Sequence, residues 1–453
     1  MKPRVDSSAL HFPADFVFGA ATAAYQIEGA ANADGRGESI WDRFCAAPGK
    51  VKSGDSGEVA CDHYHRYRDD VKLMQDLGLG AYRFSVSWPR VMPKGRGEVN
   101  QLGLDFYKLL CDALLEAGIE PWLTLYHWDL PQPLQERGGF ENRDIAGYFA
   151  DYAEVVARAL GDRVRTFMTL NEPQVFTLLG HLTGEHAPGL SSLDSHLSAV
   201  HHANLAHGRA VQALRAYDSS LRIGPVHQTP PMHPLRDDEE DLLAAQRFDC
   251  FFSRIFLDPM HLGRYPSELS DWLSPAKLPI REGDLAIIHQ PVDFIGVNNY
   301  TRFFVRAQPG ETGLRAMPVQ DHFVPGARYT AMHWEIYPKG IYEVLSRIHR
   351  DYNAPTLYVT ENGGAFDDHL SGNQVNDHVR VDLLREYLGE VLRAREDGVN
   401  VRGYFVWSLL DNFEWAHGYS KRFGIIHVDY ETQKRTPKKS AHFYREVIQQ
   451  SRR

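Results

Sequence analysis

Two glutamates stand out for what they could do together. Glu172 lies in the run TFMTLNEP (166–173), and Glu361 lies near the end of TLYVTENG (356–363). Both runs are short, apolar and rich in β-branched or aromatic residues, and both end in a polar turn. A pair of carboxyl groups brought to one place can divide labour, one ionised and one protonated, as acid–base cleavage of a glycosidic bond requires. Similar runs end in groups of compatible character: Gln26, Arg83, His127-Trp128, Asn171, Asn298, Tyr300, Asn362 and Trp407. The loop DNFEWAHGYSKRFG (411–424) adds Glu414, Trp415 and Phe423. Aromatic faces for stacking, with amides and an imidazole for directed hydrogen bonds, suit a sugar. The plainer alternative is that each glutamate is a solvated or salt-bridged residue at a strand end. Pattern alone leaves the two open.

Positioning these groups falls to eight runs that read as strands: 16–26, 81–88, 120–128, 166–173, 222–228, 293–300, 356–363 and 401–411. Several are too continuously apolar to keep one wet face, which points to parallel strands covered on both sides. Segments of helical period lie between them. Residues 62–78 place Tyr67, Val71, Met74 and Leu77 on one face and stop at Gly78, the pattern of an amphipathic helix with a glycine cap. Residues 104–118, 144–162, 196–217 and 377–398 repeat it. This alternation implies an α/β fold, a closed (β/α)8 TIM barrel with elaborated loops at its C-terminal face; a doubly wound open sheet is the alternative. No Ser/Gly- or Pro-rich linker interrupts it, so residues 1–453 are expected to form a single domain. The stretch from about 302 to 335 is irregular and longer than most loops, and is expected to be functional. In a barrel of this kind the carboxyl ends of the strands share one mouth, whatever the sequence distance between Glu172 and Glu361.

Composition narrows the classes further. The 453 residues carry 49 Lys+Arg against 59 Asp+Glu, a net charge of −10, with no basic run, so a nucleic-acid partner is disfavoured. Cys45, Cys61, Cys111 and Cys250 are dispersed without C-x-x-C spacing and read as isolated thiols of a reducing compartment. The first residues, MKPRVDSSALHFPADF, lack the apolar stretch of a secretory signal. No window approaches the length of apolar run a membrane span needs. No membrane partner and a cytoplasmic location are expected, and a homo-oligomer is compatible with the sequence. Of the 22 histidines, His63 and His65 face different sides of their helix, as do His201 and His202, and H-E-x-x-H is absent. Gly35-Arg36-Gly37 and Gly78-Leu79-Gly80 do not complete a G-x-G-x-x-G turn. Neither a metal nor a cofactor is expected.

At these strand ends the chain resembles glycoside hydrolase family one, the β-glucosidase family. The motifs that carry the resemblance run from FPADFVFGAATAAYQIEG (12–29) through GRGESIWD (35–42), YRFSVSWPR (82–90), LYHWDLP (125–131), TLNEP (169–173), YVTENG (358–363) and DNFEWAHGY (411–419) to VDYETQKRTPKKSA (428–441). The resemblance implies a TIM barrel and hydrolysis of terminal β-D-glucosyl residues, with β-galactosides and β-fucosides as further substrates, in oligosaccharides (cellulose breakdown among their sources) or simple glycosides. It makes Glu361 the nucleophile and Glu172 the acid/base of a retaining mechanism, with carboxyl groups about 5 Å apart. Asn171 would bond the sugar 2-hydroxyl, and Arg83 and Tyr300 would flank Glu361. Gln26, His127, Glu414 and Trp415 would bind hydroxyls and Trp407 would stack beneath the ring, with Trp128, Asn298 and Phe423 also lining the pocket and Trp334 on the leaving-group side.

The motifs also depart from the family pattern. Asn299 stands where the family usually has Tyr, His333 where it often has Gly, Lys339 where it often has an acid, and TENGGAF (360–366) has a second glycine. Asn299 is expected to point away from the pocket, and His333 bears on the leaving group rather than the chemistry. An anionic Glu414 is expected to repel a sugar 6-phosphate, although Ser420 and Lys421 in the same loop are residue types that related phospho-glycosidases use for phosphate. A non-catalytic glycan-binding relative would typically lack one carboxylate, whereas both are present here. A transglycosylase differs only in the acceptor of the second step.

Overall fold

The computed structural model describes residues 10–452 except 274–275, 311–312, 320–321 and 354–355. Eight strands close into a barrel: β1 (Val17–Ala21), β2 (Ala81–Ser85), β3 (Glu120–Tyr126), β4 (Thr166–Asn171), β5 (Arg222–Gln228), β6 (Ile295–Asn298), β7 (Leu357–Asn362) and β8 (Val401–Trp407). Their order around the barrel is β1-β8-β7-β6-β5-β4-β3-β2, and every pair is parallel. A principal helix follows each strand: α1 (His63–Leu77), α2 (Gln101–Glu116), α3 (Ile145–Leu160), α4 (Leu193–Tyr217), α5 (Glu239–Asp249), α6 (Lys339–Asp351), α7 (His378–Glu396) and α8 (Lys439–Ser451). The chain is therefore the (β/α)8 barrel expected from the alternation. Among the described residues no helix is long and apolar enough to cross a membrane.

Three expected boundaries are corrected. The first strand ends at Ala21, and Gln26 rides on a helical turn, Ala24–Ile27, whose backbone N–H at Ala24 is taken by Ser85 Oγ at 2.7 Å. The eighth strand ends at Trp407, not 411. The segment 302–335 is not wholly irregular: Phe303–Ala307 and Ala316–Val319 pair with each other, and the former pairs with Met232–Pro234. Residues 311–312 and 320–321 of that segment lie outside the described set.

Apolar burial divides into two bodies. One fills the space between barrel and helices; the other fills the barrel, where Trp122 packs edge-on to Tyr358 at 4.7 Å and tilted against Phe405 at 4.9 Å. Gly19 on β1 makes room for that layer, since an added Cβ would stand 2.4 Å from the Phe405 ring. This packed layer gives the polar groups above it a rigid base. The paired histidines are absorbed structurally: His63 Nδ1 lies 2.8 Å from Asp70, and His201 Nε2 lies 2.7 Å from Asp284.

Asp129, directly after Trp128, is fully buried and has no ion pair among the described residues. Burial pushes its carboxyl up to about 8, against the pull of the Ser87 hydroxyl and the Arg36 guanidinium. The folded protein thus holds a proton that the unfolded chain releases near pH 4. Because the folded state binds more protons over that interval, stability falls as pH rises, by about 1.4 kcal/mol per pH unit from this group alone. Asp129→Asn is expected to raise the thermal midpoint at pH 7.5 by a few degrees and leave it nearly unchanged at pH 4.5. Equal midpoints of variant and native protein at both pH values would show that Asp129 is ionised in the folded state.

Candidate active site

Both glutamates are set by local breaks in strand regularity. The β4–β5 register shifts between Met168 and Asn171, and the β6–β7 register shifts between Val359 and Glu361. A bulge of this kind re-aims the side chains that follow it. Immediately beyond, Glu172 takes a left-handed conformation (φ 47°), as do Trp128 (φ 83°) and Trp415 (φ 48°). Large side chains rarely adopt it, and such residues gather where a site over-determines the backbone.

The two carboxyl groups have different neighbours. Arg83, wholly buried on β2, donates through Nη1 to Glu361 Oε1 at 2.5 Å and through Nη2 to Asn171 Oδ1 at 2.6 Å. Tyr300 Oη donates to Glu361 Oε2 at 2.6 Å. Glu172 Oε1 instead accepts from the Asn298 amide at 2.7 Å, and Thr360 Oγ1 holds Asn298 Oδ1 at 2.6 Å, fixing which end of the amide faces the acid. With Oε1 an acceptor, the proton of the acid form sits on Oε2. Burial, then the charge of Glu361, hold Glu172 well above the carboxylate range; burial is thus the larger cause and the neighbouring charge, expected from the sequence, the second. Burial raises Glu361 as well, but Arg83 and Tyr300 oppose it. A cation and a hydroxyl donor favour the ionised form at Glu361, while Glu172 keeps its proton. Burial and the same carboxylate raise Tyr300 well above its ordinary value, so it remains a donor.

Around this pair lies a set of groups suited to hydroxyls. The Asn171 amide meets His127 Nε2 at 3.1 Å. Burial and the Arg83 charge hold His127 well below its ordinary value, so the ring is neutral with its proton on Nδ1, an atom without a partner among the described residues. Gln26 Nε2 donates to Asn412 Oδ1 at 3.1 Å and the Phe413 carbonyl at 2.8 Å, with Glu414 Oε2 at 3.5 Å, while Gln26 Oε1 has no partner among the described residues. One buried donor and one buried acceptor are therefore left over, and buried polar atoms of this kind call for a ligand that supplies both. Aromatic rings line one wall: Trp415 lies 4.7 Å from Trp128 and 4.6 Å from Trp41, and Trp407 stacks on His127 at 5.7 Å.

Burial pushes Glu414 up to about 8. This corrects the expectation of an anion: at neutral pH the group is mostly protonated, and can donate as well as accept. Repulsion by Glu414 is then no reason to exclude a 6-phosphate. Lys421, the cation of that loop, donates to the Ala331 carbonyl, and Ser420 Oγ donates to the His417 carbonyl.

Trp334 and Phe423 flank Tyr300 at 5.4 and 6.1 Å between ring centres, and Phe423 is buried. His333 lies outside, 6.2 Å from the exposed Phe323 ring, and Lys339 lies 3.4 Å from Glu343 on α6. Asn299 turns its amide to the Thr229 and Thr301 carbonyls, each at 3.3 Å, away from the carboxyl pair. Asn412 and the Phe413 carbonyl, which hold Gln26, and Met168, whose sulfur takes Arg83 Nε at 3.0 Å, are not among the residues that the sequence singles out. Asn412 and Phe413 adjoin Glu414 and were within reach of motif reading; Met168 carries no chemical signal of its own.

Comparison with known proteins agrees in extent. The model of the family described as glycosyl hydrolase family 1 matches residues 8–453. β-Glucosidase A of Acetivibrio thermocellus is 47% identical over 446 residues, covering 97% of this chain and 99% of that protein. A bifunctional β-D-glucosidase/β-D-fucosidase of Bifidobacterium breve is 46% identical over 461 residues, covering 96% of this chain and 98% of that one. The solved structure of the β-glucosidase from Thermotoga maritima in complex with deoxynojirimycin superposes with a TM-score of 0.93 at 46% identity, over 97% of this chain and 99% of that one.

Proposed function

The chain belongs to glycosyl hydrolase family 1, and from that premise we propose that it is a retaining β-glucosidase whose double displacement runs through Glu361 and Glu172. The observation that carries this is the unequal environment of the two buried carboxyls: Arg83 and Tyr300 donate to Glu361, and burial protonates Glu172. Ionised Glu361 attacks the anomeric carbon while Glu172 passes its proton to the departing oxygen, leaving a glycosyl ester on Glu361. Formation of the ester removes the charge that helped hold the proton on Glu172. Now ionised, Glu172 takes a proton from the attacking water as the ester bond breaks, and the sugar leaves with its original configuration. Asn171, held by Arg83 and His127, is placed for the 2-hydroxyl, and Gln26, His127 and Glu414 for the remaining hydroxyls.

Substrates in this proposal are small β-glycosides with an unphosphorylated terminal glucosyl residue, a reading supported by Lys421 and Ser420 being bonded to backbone carbonyls rather than free for a phosphate. A relative that also carries the name β-D-fucosidase supports tolerance of an axial 4-hydroxyl and of a missing 6-hydroxyl. The expected cytoplasmic location is supported by four buried free cysteines. A sugar acceptor in place of water would give transfer, and the ratio of transfer product to free sugar measures that share. The deciding experiment is proton NMR of p-nitrophenyl β-glucoside hydrolysis. β-Glucose is expected before mutarotation; α-glucose first would mean inversion and remove Glu361 as a covalent nucleophile.

A further inference from the structure

The loop after β8 carries Glu414, Trp415 and Phe423, and its two ends meet at one carboxylate. Asp411 Oδ1 accepts from the Gly424 backbone N–H at 3.0 Å and from Lys438 Nζ at 2.6 Å. Asp411 Oδ2 accepts from Arg422 Nη1 at 2.7 Å. Lys438, at the start of α8, is fully buried and reaches on to Asp368 at 2.5 Å. Arg380 closes the set, donating to Asp368 at 2.7 Å, Asp377 at 2.5 Å and the Arg422 carbonyl at 2.8 Å. Three cations thus face three carboxylates in a cluster that is mostly shut off from water.

Stability alone does not explain it. Desolvating these charges costs about what their attraction returns, and apolar side chains of similar volume would often do as well. What directed ion pairs add is one fixed geometry. From Asp411 the chain passes in three residues to Glu414, and at the far end Phe423 lies between Arg422 and Gly424, both tied to Asp411. Gln26 grips the loop from the other side through Asn412 and Phe413.

We propose that Asp411 and Lys438 form a clasp that positions the 411–424 loop against the sugar's outer hydroxyls and so sets the preference for a glucosyl over a xylosyl residue, which lacks the hydroxymethyl group. Neither residue is catalytic; both act through Glu414 and Trp415. The inference rests on the reading of Glu414 as part of the hydroxyl-binding wall, and the test separates the two.

The measurement is kcat/KM for p-nitrophenyl β-glucoside and β-xyloside, below the unfolding range, in Lys438→Met, Asp411→Asn and Glu414→Ala. The glucoside-to-xyloside ratio is expected to fall about 10-fold or more in all three. Asp411→Asn keeps an oxygen for Gly424 and decides the matter alone if Lys438→Met does not fold. A clasp variant that loses both activities by one factor while the Glu414→Ala ratio falls would overturn the proposal, the ions then being merely structural. An unchanged ratio in Glu414→Ala would overturn the reading of the wall, and the proposal with it.

Discussion

Glu361→Ala is expected to lower kcat on every β-glycoside by about 10⁴-fold or more, the scale seen when a covalent nucleophile is removed. Neither neighbouring carboxyl is placed to replace it. Glu172 is held by Asn298 and keeps its proton, and Glu414 stands beside Gln26 on the wall proposed to bind hydroxyls. The loss should be the same for good and poor leaving groups, because the missing bond is to the sugar rather than to the aglycone. Arg83 remains bonded to Asn171 and to the Thr360 carbonyl, so its donors stay largely satisfied although its charge has lost its partner, and the fold is expected to persist, at a cost in stability. Glu172 is expected to titrate lower in the variant, since the Glu361 charge, the largest influence after burial that raises it, has gone. Circular dichroism with steady-state kinetics on several nitrophenyl glycosides checks this. A folded variant within about 10-fold of native turnover would remove Glu361 from the role.

Much of the architecture is legible because the barrel's strands are buried on both faces, so each appears as an apolar run bounded by polar residues. All eight runs overlap a barrel strand. Their ends are less legible: 16–26 reads as one strand because Thr22, Ala23 and Ala24 are small residues that suit either conformation, and only the Ser85 cap on Ala24 shows where the chain turns into the helix that carries Gln26. The helix α6 does carry a signal, with Ile341, Val344, Leu345 and Ile348 buried at helical spacing, but it follows a long insertion whose irregular sequence reads as loop. At the site, residue types and strand-end positions are enough to nominate Arg83, Glu361 and Tyr300. They do not reveal the bulges that aim Asn171 and Glu361, because a bulge depends on the partner strand's register. The state of Glu414 is equally hidden, since its carboxyl is raised by burial that only packing creates. Lys438 lies within a motif that carried the family resemblance, yet its work is three-dimensional, joining two residues far from it in sequence.

Glu172→Gln separates the two halves of the proposed reaction. General acid catalysis is typically worth about 10²–10⁴-fold, and that loss is expected in kcat/KM for alkyl glucosides and disaccharides, whose leaving oxygen needs a proton. Nitrophenolates leave with little help, so their kcat/KM should fall by less than about 10-fold. Their kcat should nonetheless drop, because the second step has lost its base: the glycosyl ester on Glu361 accumulates, and rapid mixing should show a burst of nitrophenolate followed by a slow steady state. The pH profile gives an independent sign. Glu172 acts as an acid only below its raised pKa, so native kcat/KM on poor leaving groups is lost as pH rises through that value, and the limb should vanish in the glutamine variant. Gln keeps an oxygen for the Asn298 amide, so the change is in proton transfer rather than shape. Equal losses on both substrate classes, without a burst, would mean that Glu172 positions the sugar and that the proton comes from elsewhere.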